Sequence, residues 1–397
     1  MLVTKEIEKK YQITRQTLNN WIKKGVITQP KKVDKNQYIW TSENELELQL
    51  VIEGKDNYVH SKELPKLQIQ NRRYLGSKRK MLDFIDRVVT ENTERVETVA
   101  DIFGGTGVVA NLFRSQGKTV IVNDILTSNF ISFQTWFGNE EVDYSKIQSI
   151  IEKLNLLKGI HGYVADNFGN RYFTMENAKK IDAIREEIEV IDDLNQREKS
   201  FLLTSLLYAM DKSANTVGHF DAYRKKMDNL TPLLLRVPEL NYNIDNQLYN
   251  MDANKLVREI TADLVYIDTP YNSRGYESAY HVLENIAEWK KPEVEGIARK
   301  AINRSEKGSD YTKSRAPQAF DDLIQNINAR YIVVSYNNMA QKGNSRSNAK
   351  ISNKEIIQSL QKRGNVQVFD TDFQVFTTGK SKIEDHKELL YLCKVGE

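Results

Sequence analysis

The sequence predicts an α/β fold, a Rossmann-like sheet with an inserted, mainly helical lobe and a small N-terminal helix-turn-helix domain. Three observations predict it. A buried strand over residues 97–103 runs straight into Gly104-Gly105-Thr106-Gly107-Val108-Val109-Ala110, and a second strand, 119–123, ends in Asp124, nineteen residues past Gly105. That spacing suits a strand, turn, helix and strand unit that holds a nucleotide. A third apolar run, Leu264-Val265-Tyr266-Ile267, ends in Asp268-Thr269-Pro270-Tyr271, and residues 130–250 between them have helical character that breaks the βαβ rhythm.

At 397 residues the chain is long enough for two or three domains. A net charge of +3 is too small to argue for nucleic acid by itself, so charge is read locally. The single cysteine, Cys393, excludes an internal disulfide framework and a cysteine-based zinc cluster. It lies in the apolar run 389–393, which reads as a buried strand. The five histidines show no metal-ligand spacing, so no metal is expected. No stretch approaches the roughly 18 apolar residues of a membrane span, and the N-terminus lacks a secretory apolar core. A cytoplasmic protein without a membrane partner is the expectation.

In chain order, residues 4–11 carry a helical pattern with Thr4 as its cap. A second helix starts at Thr14, runs through Arg15 to Ile22 and stops at Gly25. The stretches 29–32 and 37–40 suit a small β wing. Residues 1–35 hold nine Lys or Arg against three acidic residues, an excess that suits a phosphate backbone. Through Thr17 to Gly25 this segment resembles the winged helix-turn-helix domains of MerR-like regulators. Arg15, Asn19, Asn20, Lys23 and Lys24 are its candidate DNA contacts, and a small helical cap with a solvated basic face is the bland alternative. Residues 1–52 are assigned to this domain and 53–70, polar and without period, to a linker.

Asn71-Arg72-Arg73-Tyr74-Leu75-Gly76-Ser77-Lys78-Arg79-Lys80 opens the main domain with an aromatic, a turn and a basic cluster, all suited to an anionic or carboxylate-bearing ligand. In the glycine turn, backbone can approach a ligand closely while the helix near Val108 offers its amides. Asp124 can accept both hydroxyls of a ribose. The unit therefore reads as a site for an adenosine-containing cofactor. Gly105-x-Gly107-x-x-Ala110 also fits a dinucleotide fingerprint, which keeps a nicotinamide-dependent oxidoreductase open. Against it, Asp101 and Phe103 stand beside the glycines, and an acid there holds an amino group better than a pyrophosphate.

Within the insertion, residues 204–210 are apolar and read as core. The segment 215–226 mixes aromatics, amides and basic groups, so Asn215, Thr216, His219, Tyr223, Arg224 and Lys225 are candidate DNA contacts. A polar interhelical connection is the alternative. Further strands are expected at 331–336, 366–376 and 388–394. Asp268 to Tyr271 places a carboxylate, a rigid proline and an aromatic face at a strand's carboxyl end, where open sheets bind ligands. That set suits a flat heterocycle carrying an amino group, although the four residues alone equally suit a β-turn.

With these motifs in order, the chain from Arg72 to about Cys393 resembles an amino-group DNA methyltransferase of the D12 class, the α-group that includes Dam-like adenine methylases. The resemblance rests on Tyr74-Leu75-Gly76-Ser77-Lys78, on Asp101 to Gly107, on Asp124, and on Asp268 to Tyr271. It implies S-adenosylmethionine as cofactor, with Tyr74 and Lys78 at its methionine end, Asp101, Phe103, Gly105 and Gly107 around it, Asp124 on the ribose and Asp252 on the adenine amino group. Asp268, Thr269, Pro270 and Tyr271 would be catalytic, and Thr269 departs from the proline usual there. Residues 71–129 and 248–397 would form the catalytic domain, and 130–247 the target-recognition lobe for double-stranded DNA. The implied activity is N6 methylation of a flipped adenine, as the modification enzyme of a restriction-modification system whose endonuclease acts separately. Cytosine-N4 methylation and a ligand-sensing transcriptional regulator are the alternatives.

Overall fold

A computed structural model describes residues 2–11, 13–23, 27, 29–34, 37–40, 44–45, 48, 66–243, 245–270, 275–302, 308–337, 349–372 and 387–396. The chain divides into two compact units, Met1–Lys66 and Leu67–Glu397.

In the first unit β1 (Leu2–Val3) leads into helix Thr4–Tyr11, then helix Arg15–Lys23, β2 (Lys31–Asp34) and β3 (Gln37–Trp40). The Thr14 hydroxyl accepts the Thr17 amide at 3.2 Å, capping the second helix. The strands form an antiparallel sheet in the order β1-β3-β2. Ile7, Leu18, Ile27, Trp40 and Leu48 make its core. Helix-period apolar residues thus meet a short sheet.

The second unit is built on β4 (Thr98–Asp101), β5 (Thr119–Asn123), β6 (Gln247–Tyr249), β7 (Ala262–Ile267), β10 (Ala329–Asn337), β11 (Gly364–Asp372) and β12 (Lys387–Val395), with β8 (Val294–Glu295) and β9 (Lys300–Ala301) as a separate hairpin. The sheet order is β11-β12-β10-β7-β4-β5-β6. Strands β10, β7, β4, β5 and β6 run parallel, and β12 is antiparallel to both its neighbours. Both faces are covered, which is why the central strands read as unbroken apolar runs. Val99, Val120, Val122, Leu264 and Tyr266 pack on one face with Phe84, Val109, Phe113 and Phe133. Ala100, Ile121, Val265 and Ile267 pack on the other with Phe320, Leu323, Ile356 and Leu360. Cys393 is buried on β12 and donates its thiol to the Leu360 carbonyl.

After β4 the chain winds outward through β5 and β6, then returns to β7 on the other side of β4. The reversal leaves a crevice at the carboxyl ends of β4 and β7, where Asp101 and Asp268 stand.

Three domain boundaries are corrected. The linker ends before residue 67, because the Leu67 amide donates to the Val237 carbonyl, its carbonyl accepts the Glu239 amide, and Leu67 and Ile69 are buried. Helix Thr127–Phe137 contributes Phe133, Trp136 and Phe137 to the core under the sheet. Conversely, Tyr280, Val282, Leu283 and Ile286 from beyond β7 join the core of the helices 144–156, 163–168, 175–190 and 196–213. Amphipathic helices bury against whichever apolar face lies nearest in space, so lobe and sheet share elements across the expected cut points. Among the described residues no helix is long and apolar enough to cross a membrane.

Candidate active site

The crevice is a cleft of about 910 Å³ including its open mouth, lined by Tyr74, Lys78, Asp101, Phe103, Gly105, Asp124, Asp252, Asp268, Pro270, Tyr276, Glu277 and Tyr311 among others. The size suits a nucleoside-bearing ligand. Most residues that the sequence nominates for the cofactor are therefore brought together. Gly107 is the exception. It adopts φ +81° ahead of helix Val108–Ser115, and a side chain there would strike Phe137 and Ile69, so it is a turn and packing glycine away from the cleft.

Gly105 at φ +55° does face the cleft, and an added Cβ would stand 3.1 Å from the Tyr74 ring. Its amide donates to Asp124 Oδ2 at 2.9 Å, while Asp124 Oδ1 accepts the Leu126 amide at 2.9 Å. Asp124 thus ties the glycine turn to the loop after β5 and still has acceptor capacity facing the cleft. Burial pushes its carboxyl up to about 6. Asp252 caps helix Ala253–Leu256 by accepting the Lys255 amide, and lies exposed at the cleft wall. Phe103 meets Tyr311 edge to face at 5.2 Å, giving an apolar wall.

Asp101 ends β4 and is 2% exposed, with Oδ1 unpartnered among the described residues. Burial, then the neighbouring Asp268, pushes its carboxyl up to about 8. Asp268 follows β7, and Lys78 Nζ lies 2.7 Å from both its oxygens. Burial raises the Asp268 carboxyl while the Lys78 charge pulls it back. Thr269 is buried with its hydroxyl unpartnered among the described residues, and Pro270 lines the cleft. Tyr271 lies outside the described residues.

Sequence reasoning missed the aromatic stack. Tyr74 stacks on Tyr280 at 4.6 Å and on Tyr276 at 5.5 Å, and its hydroxyl accepts from Asn129. The Arg72 guanidinium, read from sequence as a ligand for anions, is instead buried over the Tyr74 and Tyr280 rings and bonded to Asn129. The available signal was the i, i+4 pair Tyr276 and Tyr280 soon after the central motif.

The segment 215–226 is corrected in part. Asn215 is 1% exposed. Its amide donates to the carbonyls of Arg171, Arg224 and Lys226, and its carbonyl oxygen accepts the Asp228 amide. Thr216 is also buried and accepts the Gly218 amide. Both are loop staples, because an amide or hydroxyl pairs with backbone edges as readily as with base edges. His219 is partly buried near Asp221, and Tyr223 packs edge-on to Tyr172. Arg224 and Lys225 are exposed. In the first unit Arg15, Asn19 and Asn20 are exposed, while Leu18 on the same helix is buried. Lys24 and the side chain of Lys23 lie outside the described residues.

Among the described lining residues, five carboxylates (Asp101, Asp124, Asp252, Asp268, Glu277) face one ammonium, Lys78. Such a cleft attracts a cationic ligand and repels a pyrophosphate. Among the described residues no group of three or more His, Cys, Asp or Glu is placed to hold a metal ion.

The fold and the cleft define a Rossmann-like α/β protein whose site lies at the carboxyl ends of its two central strands. The chain belongs to the D12 class N6 adenine-specific DNA methyltransferase family, whose model matches residues 74–348. It is similar to the modification methylase StsI of Streptococcus sanguinis, 38% identical over 67% of this chain and 44% of that protein. It is also similar to the modification methylase LlaI of Lactococcus lactis subsp. lactis, 34% identical over 68% of this chain and 46% of that protein. The type II methyltransferase M.NlaIII of Neisseria lactamica is 28% identical over 79% of this chain and 95% of its own length. The chain thus spans about half the length of the first two relatives.

Proposed function

We propose that the chain transfers a methyl group from S-adenosylmethionine to N6 of an adenine in duplex DNA, as the modification enzyme of a restriction-modification system. The observation that carries this reading is Asp268 at the end of β7, on a carboxylate-rich cleft, inside the stretch that matches the family. The relatives named as modification methylases support it. When bound, S-adenosylmethionine supplies an electrophilic methyl group on a cationic sulfur. The residues fit it. Tyr74 stands against the glycine turn, the open oxygen of Asp101 suits its ammonium, Asp124 suits its ribose, and Phe103 and Tyr311 beside Asp252 suit its adenine.

The N6 lone pair of adenine is delocalised into the ring, which makes the nitrogen a poor nucleophile. Asp268 and the Thr269 or Pro270 carbonyl accept the two N6 hydrogens, favour a more pyramidal nitrogen and aim its lone pair. Positioning in a water-poor cleft supplies much of the acceleration. The base is flipped out of the duplex at a cost of a few kcal/mol, offset by stacking on Tyr271. The basic first unit adds affinity for the backbone. Its deletion is expected to weaken duplex binding and flatten its salt dependence, and unchanged affinity and slope would refute that role.

The test is transfer of labelled methyl into a mixed-sequence duplex followed by identification of the modified base. N6-methyladenine is expected. Lack of incorporation while S-adenosylmethionine still binds overturns the reading.

A further inference from the structure

Lys78 occupies the atoms that the target needs. Its side chain is 5% exposed and its ammonium sits 2.7 Å from both oxygens of Asp268. An ammonium and an amino group both present N–H donors, so they compete for one carboxylate. If Asp268 takes the target amino group, as proposed above, Lys78 has to let go of it. A buried ammonium left without a counter-charge costs several kcal/mol, so its flexible stem must carry it to another acceptor.

The structure holds such an acceptor, and the chemistry described so far does not use it. Glu388 lies near the start of β12 opposite Asn337, at the end of β10. By strand alternation its side chain shares a face with Leu390 and Leu392, which pack in the same core as Tyr266 and Met81. Met81 ends the turn of 3-10 helix that begins at Lys78. Glu388 is 5% exposed, and its Oε2 has no hydrogen-bond partner among the described residues. Buried carboxylates in this state call for an explanation. Burial pushes the carboxyl up to about 7, with Lys78 and Asp268 as the charges that act on it.

We propose that Lys78 is a placeholder for the target amino group, passed from Asp268 to Glu388 when the base enters. Before the base enters, Lys78 pairs with both oxygens of Asp268 and orients the carboxyl group. In the loaded cleft the Lys78–Glu388 pair keeps the ammonium buried without blocking the acceptor. Glu388 is then a positioning residue that acts through Lys78.

A double-mutant cycle on the full chain, with single-turnover methyl transfer as readout, tests the exchange. E388Q keeps the shape and removes the charge. It is expected to slow transfer on the order of tenfold to a hundredfold, with S-adenosylmethionine affinity and melting temperature unchanged. In a K78M background the same change is expected to cost less than about twofold, because the group it receives is gone. Equal losses in both backgrounds overturn the proposal. A crystal structure with sinefungin and the duplex found to be methylated decides independently, including where K78M is too slow to measure. Lys78 Nζ within hydrogen-bond distance of Glu388 supports the exchange, and Lys78 still on Asp268, or Glu388 still unpaired, overturns it. Transfer that survives D268A would instead overturn the parent reading of Asp268.

Discussion

Two segments of this chain carry similar polar side chains and put them to opposite uses. Around the cleft, Asp101 is buried and Asp268 partly buried in front of open space, and Asp101 Oδ1 lacks a partner among the described residues. In the loop 215–228, Asn215 is equally buried, but its amide is used up by four backbone groups. Burial therefore does not distinguish a site from a scaffold. Spare bonding capacity next to empty volume does, since an unsatisfied buried polar group is costly and persists where a ligand repays it.

The largest effect expected from breaking this contrast is at Asp268. D268A removes the acceptor without touching the fold's cores, and methyl transfer is expected to fall on the order of 10²–10³-fold while duplex binding holds. Single-turnover assays beside gel-shift titrations separate the two. A variant that keeps most of its kcat would place the chemistry elsewhere.

Asn215 predicts the reverse outcome. Asn215→Ala strands backbone groups of residues 171, 224, 226 and 228 at once, so a loss of about 2–4 kcal/mol of stability is expected, read as a shifted denaturant midpoint. A fall in DNA affinity at unchanged stability would restore the base-contact role read from sequence.

The contrast also shows what was legible. Strand β5 and the apolar parts of β4, β7 and β10 could be read because both faces of the sheet are buried, which turns each central strand into a bounded apolar run. Asp101, Asp124 and Asp268 were legible for a related reason, since each ends or follows such a run, whereas Glu277, on helix Tyr276–Ala279, was not. Long-range partnerships were not. The Tyr280 hydroxyl accepts the Leu75 N–H, 205 residues away, and Arg72 sits over that same distant ring as well as over its near neighbour Tyr74. Nothing local in the sequence marks Glu388 as feeling the Lys78 charge, because that coupling exists only once β12 is threaded between β10 and β11.

A smaller, sharper effect concerns Asp101, which faces Asp268, Asp124 and Lys78. Burial raises its carboxyl from 3.8 to about 8. The folded protein thus keeps a proton that the unfolded chain has lost, and Asp101 costs stability as pH rises from about 4 through 8. Pairing with a ligand's ammonium needs the ionised form, so S-adenosylmethionine affinity is expected to rise with pH, by at most about tenfold per unit, and to level off above about 8. Calorimetric titrations across this range check it. D101N is expected to bind weakly with that pH dependence gone, and a wild-type profile that is flat from pH 6 to 9 would show that Asp101 does not carry the charge.

The exposed end of the stapled loop gives the smallest effect. Asn215 holds the backbone of Arg224 in place, and Arg224 and Lys225 project into solvent, so the staple sets where their charges stand. Charges of this kind contact phosphates as points and carry no sequence information. R224A/K225A is therefore expected to leave stability and the methylated sequence unchanged, and to weaken binding uniformly. The slope of log affinity against log salt should fall by about one per lost phosphate contact. Two lost contacts place both side chains on the duplex, and an unchanged slope means that the loop ends short of it and Asn215 is stapling scaffold alone.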